Sequence, residues 1–172
     1  IYGVDGSPVV KDIFFDDTPN NGANDPRWRT ILISGLGAGG NGYFALDITD
    51  INNPKHLFAI ENDTYNKVVK HWNSDENLIS YPYQGWSGLP PSQYDYSKLG
   101  ASWSTPRIIR IKVDGADRWV AVFGGGYNSG VAPEYGSAIF IMDLENEGRL
   151  LKKIDIQDKQ IASHNYGFSL NK

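Results

Sequence analysis

Trp28-Arg29-Thr30-Ile31-Leu32-Ile33-Ser34-Gly35-Leu36-Gly37-Ala38-Gly39-Gly40-Asn41-Gly42-Tyr43-Phe44-Ala45-Leu46-Asp47 is the stretch that decides the fold. It reads as strand, glycine turn, strand: β-branched and aromatic residues lie on both sides of a turn too glycine-rich to carry a helix. The same order of features returns further along. Trp119-Val120-Ala121-Val122-Phe123-Gly124 leads into Gly125-Gly126-Tyr127-Asn128-Ser129-Gly130, and then Ser137-Ala138-Ile139-Phe140-Ile141-Met142-Asp143 follows.

Working outward, each copy gains a strand on either side. Ser7-Pro8-Val9-Val10 opens a β-rich run to Phe15, and Ser104-Thr105-Pro106-Arg107 opens its echo to Ile111. Lys55-His56-Leu57-Phe58-Ala59-Ile60 and Leu150-Leu151-Lys152-Lys153-Ile154-Asp155-Ile156 close the two copies. Pro8 and Pro106 are 98 residues apart, Trp28 and Trp119 91, and Asp47 and Asp143 96, with the variation confined to turns. A four-strand meander cannot bury both faces alone and must stack on a neighbour, so two copies predict an all-β fold: part of a β-propeller, about two four-stranded antiparallel blades. Residues 1–61 are one blade, 62–100 an inter-blade insertion loop rich in aromatics and Pro, and 101–172 the second blade with the start of the next connection. The chain opens inside a strand and stops at Asn171-Lys172 without a closing element, which is the expectation for a piece of a larger propeller. Two blades alone leave sheet faces and edges open, so such a piece is expected to need neighbours.

Composition narrows the function classes. The 172 residues carry 16 Lys and Arg against 20 Asp and Glu, a net charge of −4, and the basic residues are scattered; nothing draws the chain to nucleic acid or to an anionic membrane. There is no cysteine, which removes disulfides, thiol nucleophiles and thiolate metal sites. No apolar run reaches the ~20 residues that span a bilayer, so membrane insertion is not expected.

Individual motifs resolve into structure rather than chemistry. Gly35-Leu36-Gly37-Ala38-Gly39-Gly40 fits the dinucleotide pattern G-x-G-x-x-G, but that turn must open a helix whose amides hold pyrophosphate, and here it leads into the β run Tyr43 to Ile48. It is expected to be a wide hairpin turn with positive φ at several glycines. Gly35, Gly37, Gly40, Trp28, Trp119, Tyr127 and Asn128 are therefore read as structural. Asp143-Leu144-Glu145-Asn146-Glu147-Gly148 has the oxygen content of a calcium loop, but the twelfth position is Ile154 where a bidentate Glu should sit; a hairpin turn is the better reading, with each strand-end Asp bonding nearby amides. His56, His71 and His164 lack companions at ligand spacing and are read as surface or packing residues. No Gly-x-Ser-x-Gly elbow exists, and no catalytic or metal residue is assigned. The remaining candidates are the aromatics of the insertion: Tyr81, Tyr83, Trp86, Tyr94 and Tyr96, offered either as a partner-binding surface or as packing that holds the loop to the propeller.

Asp5-Gly6-Ser7-Pro8-Val9-Val10, then Trp28 to Leu32 into the glycine turn and Tyr43-Phe44-Ala45-Leu46-Asp47-Ile48-Thr49-Asp50, together resemble the C-terminal propeller of the PilY/PilC-type pilus adhesins. Leu99-Gly100-Ala101-Ser102-Trp103-Ser104-Thr105-Pro106, Trp119 to Gly124 and Gly126-Tyr127-Asn128-Ser129 continue the resemblance in the same order, over nearly the whole chain except the insertion. The resemblance implies a modified seven-bladed propeller in a secreted protein at the tip of type IV pili or on the outer-membrane surface. It implies a non-enzymatic role in pilus assembly, in opposing retraction and in attachment, with pilin or minor pilins, a host or abiotic surface receptor, and the remaining blades as partners. It also implies a calcium loop in the parent protein; that aspartate-rich loop has no match here, so no cofactor is expected in this stretch. Two other classes stay open: a quinoprotein-type propeller dehydrogenase, against which Phe58 and Ile154 stand where that class repeats Trp, and a carbohydrate-binding propeller lectin, which the loop aromatics permit.

Overall fold

The computed structural model describes residues 3–15, 27–83, 88–128 and 135–156. Strands β1 (Val9–Phe15), β2 (Arg27–Gly35), β3 (Gly42–Asp47), β4 (Lys55–Asp63), β5 (Val68–Trp72) and β6 (Leu78–Pro82) form one sheet, and β7 (Arg107–Val113), β8 (Ala116–Gly124), β9 (Ala138–Asp143) and β10 (Arg149–Asp155) form a second. Each sheet is an antiparallel meander in which every strand pairs with its sequence neighbour. Among the described residues, helix is limited to single 3-10 turns at Gly37–Gly39 and Ser92–Tyr94.

The first sheet has six strands where four were expected. Its two extra strands come from the stretch read as an insertion loop. Val68-Val69 and Leu78-Ile79 supply the apolar positions, and local side-chain bonds build the turns around them. Asp63 Oδ1 accepts the Asn66 amide (3.0 Å) at one turn, and Asn73 Oδ1 accepts the amides of Asp75 (3.1 Å) and Asn77 (2.8 Å) at the next. Lys67 and Glu76 take positive φ there (54° and 62°), so the two turns use neither Gly nor Pro, the punctuation that a sequence reading looks for.

Pairing register defines which residues of the two sheets correspond. Ile31 pairs with Asp47, and Val120 pairs with Asp143. Trp119 is therefore the counterpart of Thr30, and Trp28 lies two positions away, so the matched tryptophans are not true equivalents. The connections differ in length: β7 and β8 close over a tight Asp114-Gly115 turn, whereas β1 and β2 are joined by a longer one. A shift of two keeps both rings on the same face. Even the irregularities repeat: the β3–β4 ladder slips at Leu57 and the β9–β10 ladder at Leu151, corresponding positions in the two sheets.

The sheets stack face to face around one core. Ile13, Ile31, Ile33, Tyr43, Phe58 and Ile60 come from the first sheet, and Ile108, Ala121, Phe123, Phe140 and Met142 from the second, all buried. The Tyr43 and Phe123 rings meet across the seam with centroids 4.1 Å apart, and Lys11 Nζ donates to Ile108 O at 3.1 Å. Burying side chains of this size contributes about 1.5–3 kcal/mol each. Apart from the fully buried Val120, the far face of the second sheet carries Ile109, Ile111, Val122, Ile139, Ile141 and Ile154, none of them fully buried among the described residues. By register these occupy the places that Lys11, Ile13, Ile33, Tyr43, Ala45 and Ile60 hold on the covered face of the first sheet.

The described part of the linker, from Gly88 to Pro106, crosses from the outer edge of the first sheet to β7 and is clamped along its length. Asn62 Nδ2 donates to Ser97 O (3.0 Å) and Leu99 O (2.7 Å), while reciprocal ion pairs Lys98–Asp155 and Lys153–Asp95 tie the linker to β10.

Candidate binding surface

Four of the five insertion aromatics fall in the seam rather than on an open surface. Tyr81 stacks on Tyr94 (5.1 Å, 10° between planes), and Tyr94 stacks on the buried His71 ring at 4.5 Å. Tyr83 donates its hydroxyl to Asn62 Oδ1 at 2.7 Å. Tyr96 is fully buried and donates to Gly148 O at 2.7 Å, which removes it as a surface contact; the linker carries it into the core against Phe140. Desolvation pushes the Tyr96 phenol far above its ordinary range and the Tyr94 phenol up to about 12, so both stay neutral. Trp86 lies outside the described residues. His71 sits in the same seam, with Nε2 2.9 Å from Glu147 O in the β9–β10 turn, and burial holds its pKa below the ordinary imidazole value.

The strand-end aspartates form a duplicated clasp. Asp47 Oδ1 accepts the Thr49 amide at 2.9 Å, Thr49 Oγ1 accepts the Thr30 amide at 2.9 Å, and the Ile48 amide donates to Thr30 O at 2.8 Å. In the second sheet Asp143 Oδ1 accepts the Glu145 amide (2.9 Å), Glu145 Oε1 accepts the Trp119 amide (2.9 Å), and the Leu144 amide donates to Trp119 O (3.0 Å). An arginine stands beside each clasp: Arg29 lies 3.6 Å from Asp47, and its counterpart Arg118 lies 3.2 Å from Glu145. Burial raises the Asp143 pKa against the pull of the Glu145 amide. Sequence reading found the two aspartates but missed the residue two places on, whose shared trait is only a side-chain oxygen. These acids hold their own backbone. Among the described residues no three His, Cys, Asp or Glu side chains gather as a metal site.

The opposite end of the sheets is organised by glycine and one serine. In the turn from Gly35 to Gly40 only Gly37 takes a left-handed φ (59°), fewer positions than expected. Gly35 is there for space, since a Cβ would lie 2.3 Å from Ser102 O. Beyond the single 3-10 turn at Gly37–Gly39 the chain runs into strand β3, so no α-helix opens from this turn. The buried Ser102 hydroxyl accepts the Leu36 amide (2.8 Å) and lies 2.7 Å from Gly42 O, pinning the turn to the linker. Tyr127 and Ala101 exchange backbone hydrogen bonds of 2.8 Å each, which ties the glycine turn of the second sheet to the same linker. Between the two turns opens a cleft of about 600 Å³ that includes Asn41, Thr64, Trp103 and Tyr127. Trp103 is 51 % exposed and Tyr127 62 % exposed.

Two stacked meanders, joined by a linker from the outer edge of one to the first strand of the next, define a pair of adjacent β-propeller blades. Residues 1–84 match the family profile of the PilY1 beta-propeller domain. The chain is 32 % identical over 159 residues, 92 % of its length, to the type IV pilus biogenesis factor PilY1 of Pseudomonas aeruginosa strain UCBPP-PA14, and 28 % identical over 157 residues, 91 % of its length, to a PilY1 homolog of Xylella fastidiosa strain Temecula1. It aligns with the crystal structure of the P. aeruginosa PilY1 C-terminal domain with a TM-score of 0.51 and 32 % identity, over 88 % of this chain and 21 % of that one. The chain belongs to the PilY1 β-propeller family. It spans 10 % of the P. aeruginosa relative's length and 8 % of the X. fastidiosa relative's. No helix among the described residues is long and apolar enough to cross a membrane.

Proposed function

We propose that this blade pair serves in a non-enzymatic type IV pilus biogenesis factor that supports pilus assembly, opposes retraction and mediates surface attachment. The protein works at the pilus tip or outer-membrane surface, with pilin or minor pilins and a surface receptor as its partners. One observation carries the reading: the 32 % identity to a type IV pilus biogenesis factor extends over 92 % of the chain, so it takes in both blades and the linker. The acids support binding over catalysis. Asp47, Asp143 and Glu145 are each committed to backbone amides of the clasps, and Asp95 pairs with Lys153.

The test is replacement of the native gene by one lacking residues 3–156, followed by counting surface pili by electron microscopy. Surface pili are expected to be lost in cells that can retract them, and to return when the retraction motor is also removed. Normal piliation and normal attachment in the deletion strain would sink the proposal.

A further inference from the structure

The cleft between the two glycine turns has a lining unlike the rest of the molecule. Asn41, Thr64, Trp103, Tyr127, Asn128 and Tyr135 contribute its side chains, and the rest of the lining among the described residues is Ala and Gly, with no charged side chain. Lys67 is bound at the Tyr135 hydroxyl and lies over the Tyr135 ring. Two aromatic rings stand half or more exposed there. Neither Trp103 nor Tyr127 stacks on another ring or on a cation among the described residues, in contrast to Tyr81, Tyr94 and Tyr96, which all have ring partners.

These two rings stand on a fixed floor. The Ala101–Tyr127 bridge, the Gly100 amide to Gly125 O (2.7 Å) and the Ser102 amide to Gly40 O (3.1 Å) lock three backbone segments together. At one edge, Asn41 Nδ2 donates to Asn62 O (3.3 Å) and sits 3.5 Å from Thr64 Oγ1, which orients the amide beside the cleft. Large rigid rings with few rotatable bonds, on a backbone ordered before any ligand arrives, lose little entropy on binding.

We propose that this cleft binds a neutral carbohydrate. An uncharged, polyhydroxylated ring offers one C–H face that packs on an aromatic surface and a rim of hydroxyls that need amide and hydroxyl partners; Trp103 and Tyr127 supply the first and Asn41 and Thr64 the second. With no charged side chain among the described lining residues, no cation there favours sialylated or uronic-acid sugars or acidic peptides. An extended peptide adding as a strand would need a free edge, and at this site the Ala101–Tyr127 bridge already occupies it. The inference rests on the attachment part of the proposed function and names the chemistry that attachment would read.

The experiment uses the full-length protein carrying this sequence, on an array of neutral hexose and N-acetylhexosamine oligosaccharides with sialylated and uronic-acid members alongside, and on a peptide array in parallel. Neutral members are expected to bind. Trp103→Ala and Tyr127→Ala each weaken that binding by about tenfold or more, the size of a lost anchoring ring, while Trp103→Phe keeps most of it. Trp28→Ala and Tyr65→Ala, which remove exposed rings elsewhere, leave it unchanged, and unaltered thermal unfolding of the Trp103 and Tyr127 variants separates lost contact from lost fold. The proposal falls if no glycan binds, if only acidic glycans bind, if binding ignores both rings, or if the rings matter to a peptide alone. Piliation is scored separately: a cleft that binds no sugar in a strain whose pili still depend on the protein overturns this inference and leaves the assembly reading standing.

Discussion

The covered face of the first sheet and the open face of the second are the same surface written twice. Ile13 and Ile111, Ile33 and Val122, and Ile60 and Ile154 hold matching register positions, yet the first of each pair is fully buried and the second is not. The tryptophans teach the same lesson from the other side of the sheets. Trp28 is 63 % exposed with the edge-on Phe14 ring of its own sheet as its ring neighbour, while Trp119, on the corresponding face of the second sheet, packs onto the core with Lys11 Nζ 5.3 Å above its ring. Exposure here is set by position in the stack, not by the residue. A blade carries the same apolar commitment on both faces whether or not a neighbour is present to use it.

The sharpest way to break that comparison is to truncate one residue on each face. Phe123→Ala removes a ring that touches Tyr43 at 4.1 Å and Phe140 at 5.6 Å, and should cost about 3–5 kcal/mol in urea unfolding. Ile141→Ala removes a half-buried side chain from the open face and should cost well under half as much in the 172-residue chain. Equal costs would mean that the second face is already covered. A rise in the Ile141→Ala cost when the chain is extended at either end would show a further blade settling onto it.

A smaller effect separates the two clasps. They share geometry but not chemistry, since Thr49 gives one hydroxyl where Glu145 gives two carboxylate oxygens, one to the Trp119 amide and one to Arg118. Glu145→Ala should cost about 1–3 kcal/mol, because it strands a backbone donor and a cation together; Thr49→Ala should cost about 1 kcal/mol, the ordinary worth of one hydrogen bond. If both variants unfold at the same urea concentration, the charge of the second clasp adds nothing to the shared backbone bonds.

The meanders were legible because strands announce themselves by alternation and by glycine turns, and the repeat supplied a second reading of each. Asp47 and Asp143 were visible for the same reason. The β5–β6 hairpin was hidden because Asn, Asp, Lys and Glu build its turns through side-chain bonds and positive φ, a pattern that reads as polar loop. The insertion aromatics were visible as a cluster, but composition cannot say which face of a linker is pressed inward. Tyr96 and Trp103 lie seven residues apart in one segment; Asn62 binds the carbonyls between them at Ser97 and Leu99, and the chain emerges with Tyr96 buried and Trp103 exposed. That outcome depends on contacts from a distant strand, which no local pattern encodes.

The seam and the open face should also differ in their response to acid, and this is the smallest of the expected effects. His71 is the buried imidazole of the seam: it stacks on Tyr94 and faces Glu147 through Nε2, with His56 near enough to disfavour its charged form. Burial lowers its pKa, while the Glu147 carbonyl and carboxylate pull the other way and lose. With Nε2 donating to the Glu147 carbonyl, Nδ1 is left buried without a partner, so a proton added there would be an unpaired buried charge. Well above the unfolded value of about 6.5 the imidazole is neutral in both folded and unfolded chains, and its contribution is fully present. As pH falls through that value the unfolded chain takes up the proton first, so stability declines until the lower pKa of the folded state is reached. The urea midpoint should therefore drop from pH 7.5 to pH 5.5, and His71→Gln should flatten the drop within that window while an Ile141→Ala control on the open face leaves it intact. An unchanged slope in His71→Gln would mean that the seam tolerates the charge, and that the stack on Tyr94 holds the blades together in either protonation state.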